Sequence, residues 1–243
     1  MTKRRRKKRI GKNGTWFTLV GSGLVVAALL LTAYNLYDSH RAGIRAEDAL
    51  EALVLQIEQD PVPTGGRMTY VRPADADRAP ETGESQPYYE DEIEYPDYVL
   101  DAHKDMPVKR INGRDYIGTV SIPSIERELP VFSEWNYPNL RIGPCRYEGS
   151  VYLDNMVVCA HNYAIHFGEL KNLSYGDTVI FTDMDGNVFQ YMVKEIILLL
   201  PSEIEAMTTG DWDLTLFTCT IGGRQRVTVR CERVPHENDQ FFA

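Results

Sequence analysis

Three residues of this chain have the types and settings that acyl transfer by a thiol requires. Cys219 closes the apolar, β-prone run Thr215-Leu216-Phe217-Thr218 and precedes the loop Thr220-Ile221-Gly222-Gly223-Arg224-Gln225. A thiol at a strand end beside a Gly-Gly loop can meet a substrate, which a mid-strand thiol cannot. His161 occupies the same kind of place, where the apolar run Met156-Val157-Val158-Cys159-Ala160 stops, and Arg226 opens the β-prone run after Cys219. A thiol with an ordinary pKa of about 8.5 is mostly protonated at neutral pH, so a nucleophilic cysteine needs a basic or cationic neighbour. A histidine supplies one and can later protonate a departing amine. An arginine keeps its charge throughout and can support an oxyanion or clamp a substrate backbone. Each residue also has a plainer reading: a histidine at a strand end is more often structural, and a trio picked by type is a weak motif.

The remaining candidates are weighed the same way. Spacing allows two disulfides among Cys145, Cys159, Cys219 and Cys231, or one reactive thiol and three buried ones, and free thiols are the expectation. In the run from Arg226, Val227, Val229 and Cys231 share one face while Arg226, Thr228 and Arg230 share the other, which makes Cys231 a core residue. Cys159 shares the strand face of His161 and is the competing nucleophile. No CxxC pair is present, and His166 lies five residues after His161, which fits no HExxH pattern. No metal site and no cofactor are expected. Asp183 and Asp185 could attract calcium, but a solvated turn explains them.

The elements that must hold the trio are short strands. Tyr116 to Ile122, Leu129 to Phe132, Asn155 to Ala160, Thr178 to Thr182, Val188 to Leu199, Leu214 to Thr218 and Arg226 to Val234 are β-prone runs bounded by Gly, Pro, Asp and Asn. Asp183 to Asn187 is a hairpin turn signal between two of them. Short helices are expected at Tyr137 to Ile142 and Ile165 to Leu173. Many short strands without βαβ alternation predict an all-β domain, a closed barrel or sandwich, beginning near Val108.

Ahead of this domain the chain changes character. The formal charge of -9 conceals eight basic and no acidic side chains in residues 1–37, leaving 18 basic against 35 acidic elsewhere, a net of -17. So acidic a body argues against nucleic acid as a partner. Residues 13–37 carry no charge and match the roughly 20 apolar residues a helix needs to cross a bilayer. Trp16, Tyr34 and Tyr37 sit at its two ends, where aromatic rings favour the interfaces, and the basic tip (1–12) is expected to stay in the cytoplasm. The stretch exceeds the roughly 7–15 apolar residues of a cleaved signal peptide, so it reads as a plasma-membrane anchor with residues 38–243 outside. Ile44 to Gln59 then reads as a separate amphipathic helix with Ile44, Leu50, Leu53, Val54 and Ile57 on its apolar side, stopped by Asp60-Pro61. Pro61 to about Pro96 is acidic and rich in Pro and Gly, a solvated spacer by composition. Tyr88, Tyr89, Tyr95 and Tyr98 allow an alternative in which the region around it (61–100) docks as a lid. The organisation is thus a tip (1–12), a span (13–37), a helix and linker (38–107) and a catalytic domain (108–243).

Thr215-Leu216-Phe217-Thr218-Cys219 resembles the TLxTC signature of sortases, the cysteine transpeptidases of Gram-positive bacteria. Arg226-Val227-Thr228-Val229-Arg230 resembles their arginine-bearing last strand, and Val158-Cys159-Ala160-His161-Asn162 their strand-then-histidine element. Gly118 to Ile125 with Leu129-Pro130-Val131 is similar to the opening strands, and Phe167 to Leu173 with Gly176-Asp177 to the stretch after the histidine. The resemblance covers about Tyr116 to Val234, in the family's order. It implies a closed eight-stranded β-barrel in which Cys219 attacks the carbonyl between Thr and Gly of an LPxTG-like sorting signal. His161 would protonate the departing amine and deprotonate the incoming one, and Arg226 would steady the signal and the oxyanion. Thr218 and the loop from Pro201 to Gly210 would touch substrate. The implied partners are secreted proteins bearing a sorting signal, with an amine of a cell-wall precursor or a pilin as acceptor. Two features depart from the family: Ala160 stands where glycine is frequent, and no second apolar span follows Val234, which lowers the pilin-polymerising reading. A tethered binding barrel and a simple cysteine hydrolase are the rival functions.

Overall fold

Each β-prone run with an alternating or fully apolar pattern becomes a strand, and the strands close on themselves. The chain is described by a computed structural model covering residues 12–59 and 96–234. The expectations for the basic tip, for the linker tyrosines Tyr88, Tyr89 and Tyr95 and for the last nine residues lie outside the described residues. The nine strands are β1 (Lys109–Ile111), β2 (Arg114–Ile122), β3 (Arg127–Phe132), β4 (Cys145–Glu148), β5 (Met156–Ala160), β6 (Thr178–Asp183), β7 (Val188–Leu199), β8 (Leu214–Cys219) and β9 (Arg226–Arg233). Their order is β1-β2-β3-β4-β5-β8-β9-β7-β6, and β6 pairs back onto β2. Strands β2 to β9 therefore form a closed eight-stranded barrel, with β1 as an extension of β2. Closure gives each of the eight barrel strands a neighbour on both sides.

The seam that closes it depends on one glycine. Gly118 pairs with Phe132's neighbour Val131 on one side and with Asp183 on the other. A Cβ there would lie 2.2 Å from the Thr182 carbonyl oxygen and 2.6 Å from the Phe181 ring. Gly118→Ala is expected to destabilise the barrel by about 3 kcal/mol or more, since neither backbone nor packed ring can give way. Urea unfolding of the two proteins reads it directly, and an unchanged midpoint would mean the seam is looser than described.

Alternation splits the apolar residues into two layers. Met156, Val158, Ala160, Leu214, Leu216, Val227, Val229 and Cys231 fill the barrel interior. Val157, Cys159 and Phe217 face outward into a second layer with Tyr116, Phe132, Cys145, Met207, Ala49 and Leu53. Part of that layer is roofed by α1 (Lys12–Gln59), a single 48-residue helix. The break expected between an apolar span and a second helix is absent, because nothing between residues 37 and 44 interrupts the backbone ladder. The face that packs is also different: Ala42, Ala46, Ala49 and Leu53 are buried, whereas Ile44 and Val54 are exposed. Small residues let the helix approach the barrel wall closely. Gly43 marks the tightest point, where a Cβ would come within 3.0 Å of Ile165 Cδ1.

Three further helices are short: α2 (Asp97–Leu100), α3 (Tyr137–Leu140) and α4 (Ile204–Thr208). The helix expected over Ile165 to Leu173 is instead a turn followed by one 3₁₀ turn at Leu170–Asn172. The segment folds back on His161: the Phe167 N–H donates to the His161 carbonyl (3.2 Å) and the Gly168 N–H to that of Tyr163 (2.9 Å). Of the linker tyrosines, Tyr98 is described. It stacks on Tyr152 at 4.8 Å and lies 5.3 Å from Phe189. Leu199 pairs with Arg226, and Phe189 lies ten residues back along β7, about 33 Å away. Tyr98 therefore caps the barrel end opposite Cys219 and does not cover the thiol.

Candidate active site

Two strand pairings bring the trio together. β5 and β8 are parallel, with Ala160 beside Thr218. His161 and Cys219 each follow by one residue, on neighbouring chains spaced about 4.8 Å apart. β8 and β9 are antiparallel, with Cys219 directly opposite Arg226. Parallel neighbours need a long crossover. The β6–β7 hairpin and α4 supply it, which is why residues 58 positions apart meet. Parity settles the face: His161 follows the outward Val157 and Cys159, Cys219 follows Phe217, and Arg226 is offset by one from the inward Val227. All three project on the outer face of the barrel.

The loops carrying them are tied together. The Thr218 hydroxyl donates to the Ala160 carbonyl at 2.8 Å, and the Asn162 side-chain amide donates to the Thr220 carbonyl at 3.4 Å. The Arg226 guanidinium donates to the Gly223 and Gln225 carbonyls at 3.2 and 3.3 Å. Thr218, expected to touch substrate, is turned inward and 3% exposed. Its hydroxyl is committed to holding β8 against β5, so its position is that of a strand tie. The Pro201 to Gly210 segment, expected as a loop, contains α4 and flanks the outer face: Met207 packs in the outer layer, and the Arg230 guanidinium donates to the Ala206 carbonyl at 2.7 Å.

All four cysteines are free, and Cys219 alone among them is not buried. Burial pushes the Cys159 and Cys231 thiols up to about 12 and raises Cys145 further. A buried thiol held protonated is a poor nucleophile. Cys159 lies opposite Cys145 in the sheet, buried in this way.

His161 is partly buried, and burial followed by the charge of Arg141 lowers its pKa, while Asp38 acts in the opposite sense. Its ring lies 4.9 Å from that of Tyr163, whose hydroxyl donates to the Asp38 carboxylate at 2.7 Å. Tyr163 lies 5.4 Å in turn from His166, a fully buried imidazole whose pKa burial lowers to about 4 against the opposing effect of the Ile142 backbone. Arg141, Tyr163 and Asp38 carry no sequence signal, because they reach the site only through tertiary folding. Removing a positive neighbour makes the imidazolium easier to form, so Arg141→Ala is expected to raise the His161 pKa towards its ordinary value of about 6.5. Asp38→Asn is expected to lower it. NMR titration of the imidazole checks both, and a shift of the opposite sign in either variant would refute the assignment of causes.

No group of three or more His, Cys, Asp or Glu side chains that could hold a metal occurs among the described residues. Asp183 is fully buried, and its carboxylate accepts from Tyr152, from the Asn187 side chain and from the Asp185 and Asn187 backbone. An open hollow of about 450 Å³ lies to the side on β4, lined by Trp135, Arg146 and Tyr147 among others. It includes none of the trio.

A closed eight-stranded barrel with cysteine, histidine and arginine at adjacent strand ends defines a class, and comparison with known proteins gives the family. The sortase domain model matches residues 120–234. Sortase A of Bacillus anthracis is 27% identical over 133 residues, covering 52% of this chain and 60% of that protein. Sortase A of Listeria monocytogenes is 27% identical over 109 residues, covering 42% and 49%. Among solved structures, sortase C from Clostridium perfringens is 30% identical, covering 50% of this chain and 71% of that one, with a TM-score of 0.44. The chain thus spans about half to three-fifths of the curated relatives it matches. The chain belongs to the sortase family.

Proposed function

We propose that this protein is a membrane-anchored cysteine transpeptidase acting on an LPxTG-like sorting signal. The observation that carries the reading is the convergence of Cys219, His161 and Arg226 at three neighbouring strand ends on one exposed face. The Cys219 sulfur attacks the threonine carbonyl, and the carbonyl electrons move onto oxygen beside the Arg226 charge. Collapse breaks the Thr–Gly amide, and His161 delivers a proton to the departing glycine nitrogen. The acyl group remains as a thioester. An acceptor amine, from a cell-wall precursor or a pilin, then gives its proton to His161 and attacks the thioester, which forms a new amide and frees the thiol.

The anchor is α1, whose Trp16–Leu55 portion is long and apolar enough to cross a membrane. The orientation we propose places the barrel outside the cell, where sorting-signal proteins and acceptors are found. The test is incubation of the full-length protein in lipid nanodiscs with a panel of LPxTG-like peptides and a glycine-based amine, followed by mass spectrometry. A protein-bound acyl adduct and an amine-linked product support the transpeptidase. Cleavage without transfer at saturating amine would make it a hydrolase, and no adduct with a folded barrel would favour a tethered binding module.

A further inference from the structure

The anchor helix and the catalytic loop are in direct contact, and this fixes which end of the barrel meets the membrane. Residues 13–37 of α1 are uncharged, and 16–37 are exposed. The first charged residue after this stretch, Asp38, accepts a hydrogen bond from Tyr163, two residues after His161. One turn further on, Gly43 lies against Ile165, and beyond it α1 packs on β3 and β1, with Leu53 buried in the outer layer. Helix α1 thus runs along the barrel wall from the His161 end towards β1 and the start of β2, where Gly118 pairs with Asp183 beside the β6–β7 turn, the end opposite Cys219. With a rise of about 1.5 Å per residue, its uncharged portion emerges within a few ångströms of the catalytic loop.

The surface at that end suits a lipid interface. Ile221, in the loop between Cys219 and Arg226, is 90% exposed, and Leu200 and Ile204, between the end of β7 and the start of α4, are about half exposed. Two glycines and the exposed Arg224 follow Ile221 in the same loop. Apolar tips beside a long cationic side chain are the composition of segments that sit among headgroups. The rest of the extramembrane body is strongly acidic, so it is not itself suited to an anionic surface.

Resting on the reading of α1 as a membrane anchor, we infer that the active-site end of the barrel lies flat against the bilayer, with Ile221, Leu200 and Ile204 among the headgroups. The thiol then works at the membrane surface, and an acceptor amine carried on a lipid headgroup reaches it without leaving that surface.

Methyl NMR of full-length protein in nanodiscs containing gadolinium-chelate lipids tests this. Ile221 and Ile204 should lose more than about half of their intensity, as groups within about 10 Å of the headgroups would. Ile111 and Ile117, at the far end, should keep theirs. Equal attenuation of Ile221 and Ile111 in loaded discs would overturn the surface contact while leaving the anchor intact. Failure of the protein to enter the discs would overturn the anchor, and the inference with it.

Discussion

Cys219→Ala is expected to abolish both the acyl adduct and the amine-linked product, a loss of roughly 10⁴-fold or more in turnover, as for other enzymes stripped of their nucleophile. The control is Cys159→Ala. Cys159 lies two residues upstream of His161 on the outer layer, close enough to Cys219 that negative charge there helps to raise the Cys159 pKa. It is nevertheless buried, with its thiol pushed up to about 12. Replacing it removes a small apolar group and leaves the chemistry, so the Cys159→Ala protein should retain adduct formation within a few-fold. Intact-mass spectrometry after mixing with peptide separates the two cases. An adduct that survives in Cys219→Ala and vanishes in Cys159→Ala would transfer the nucleophile to the neighbouring strand and discard the assignment made above.

The second large effect is at His161. His161→Ala is expected to lower kcat by about 10² to 10⁴, the range for loss of a positioned acid or base. KM should change little, because the imidazole is assigned to proton transfer and not to holding the peptide. The loss should weigh on expulsion of the glycine amine, which leaves poorly unless protonated. An ester analogue, whose alkoxide leaving group depends less on that proton, should therefore suffer less than the peptide. Equal losses on ester and amide would point instead to a role for His161 in activating the thiol alone. A rise in KM with unchanged kcat would remove it from the proton path.

How much of this was legible depended on the range of the interaction. The runs ending at His161 and Cys219 could be read because each is a short apolar segment with a sharp polar stop, and parity along β9 gave the face of Arg226. β4 escaped notice since Cys145-Arg146-Tyr147-Glu148 is short and half polar, and its place is fixed by pairing with β5. Helix α4 follows Pro201 and ends in two threonines, poor helix formers that local propensity reads as loop. The buried face of α1 was missed because its alanines carry little hydrophobic signal. Their value lies in close approach to a wall that only the folded barrel provides. Arg141, Tyr163 and Asp38 are invisible for the same reason, since contacts across 20 to 125 residues leave no local pattern.

The uneven exposure of the four thiols also gives the protein a simple response to oxidants. Three sulfurs are sealed in the barrel and its outer layer, and Cys219 alone is open. Among the cysteines peroxide then has one point of attack, where one equivalent converts the Cys219 thiol to a sulfenic acid with release of water. Inactivation should be single-hit, and a small-molecule thiol should reverse it, since no second accessible sulfur stands ready to trap the sulfenic acid as an internal bridge. Oxidation of Cys219 should therefore lower activity while leaving the barrel folded, since that sulfur takes no part in either packed layer.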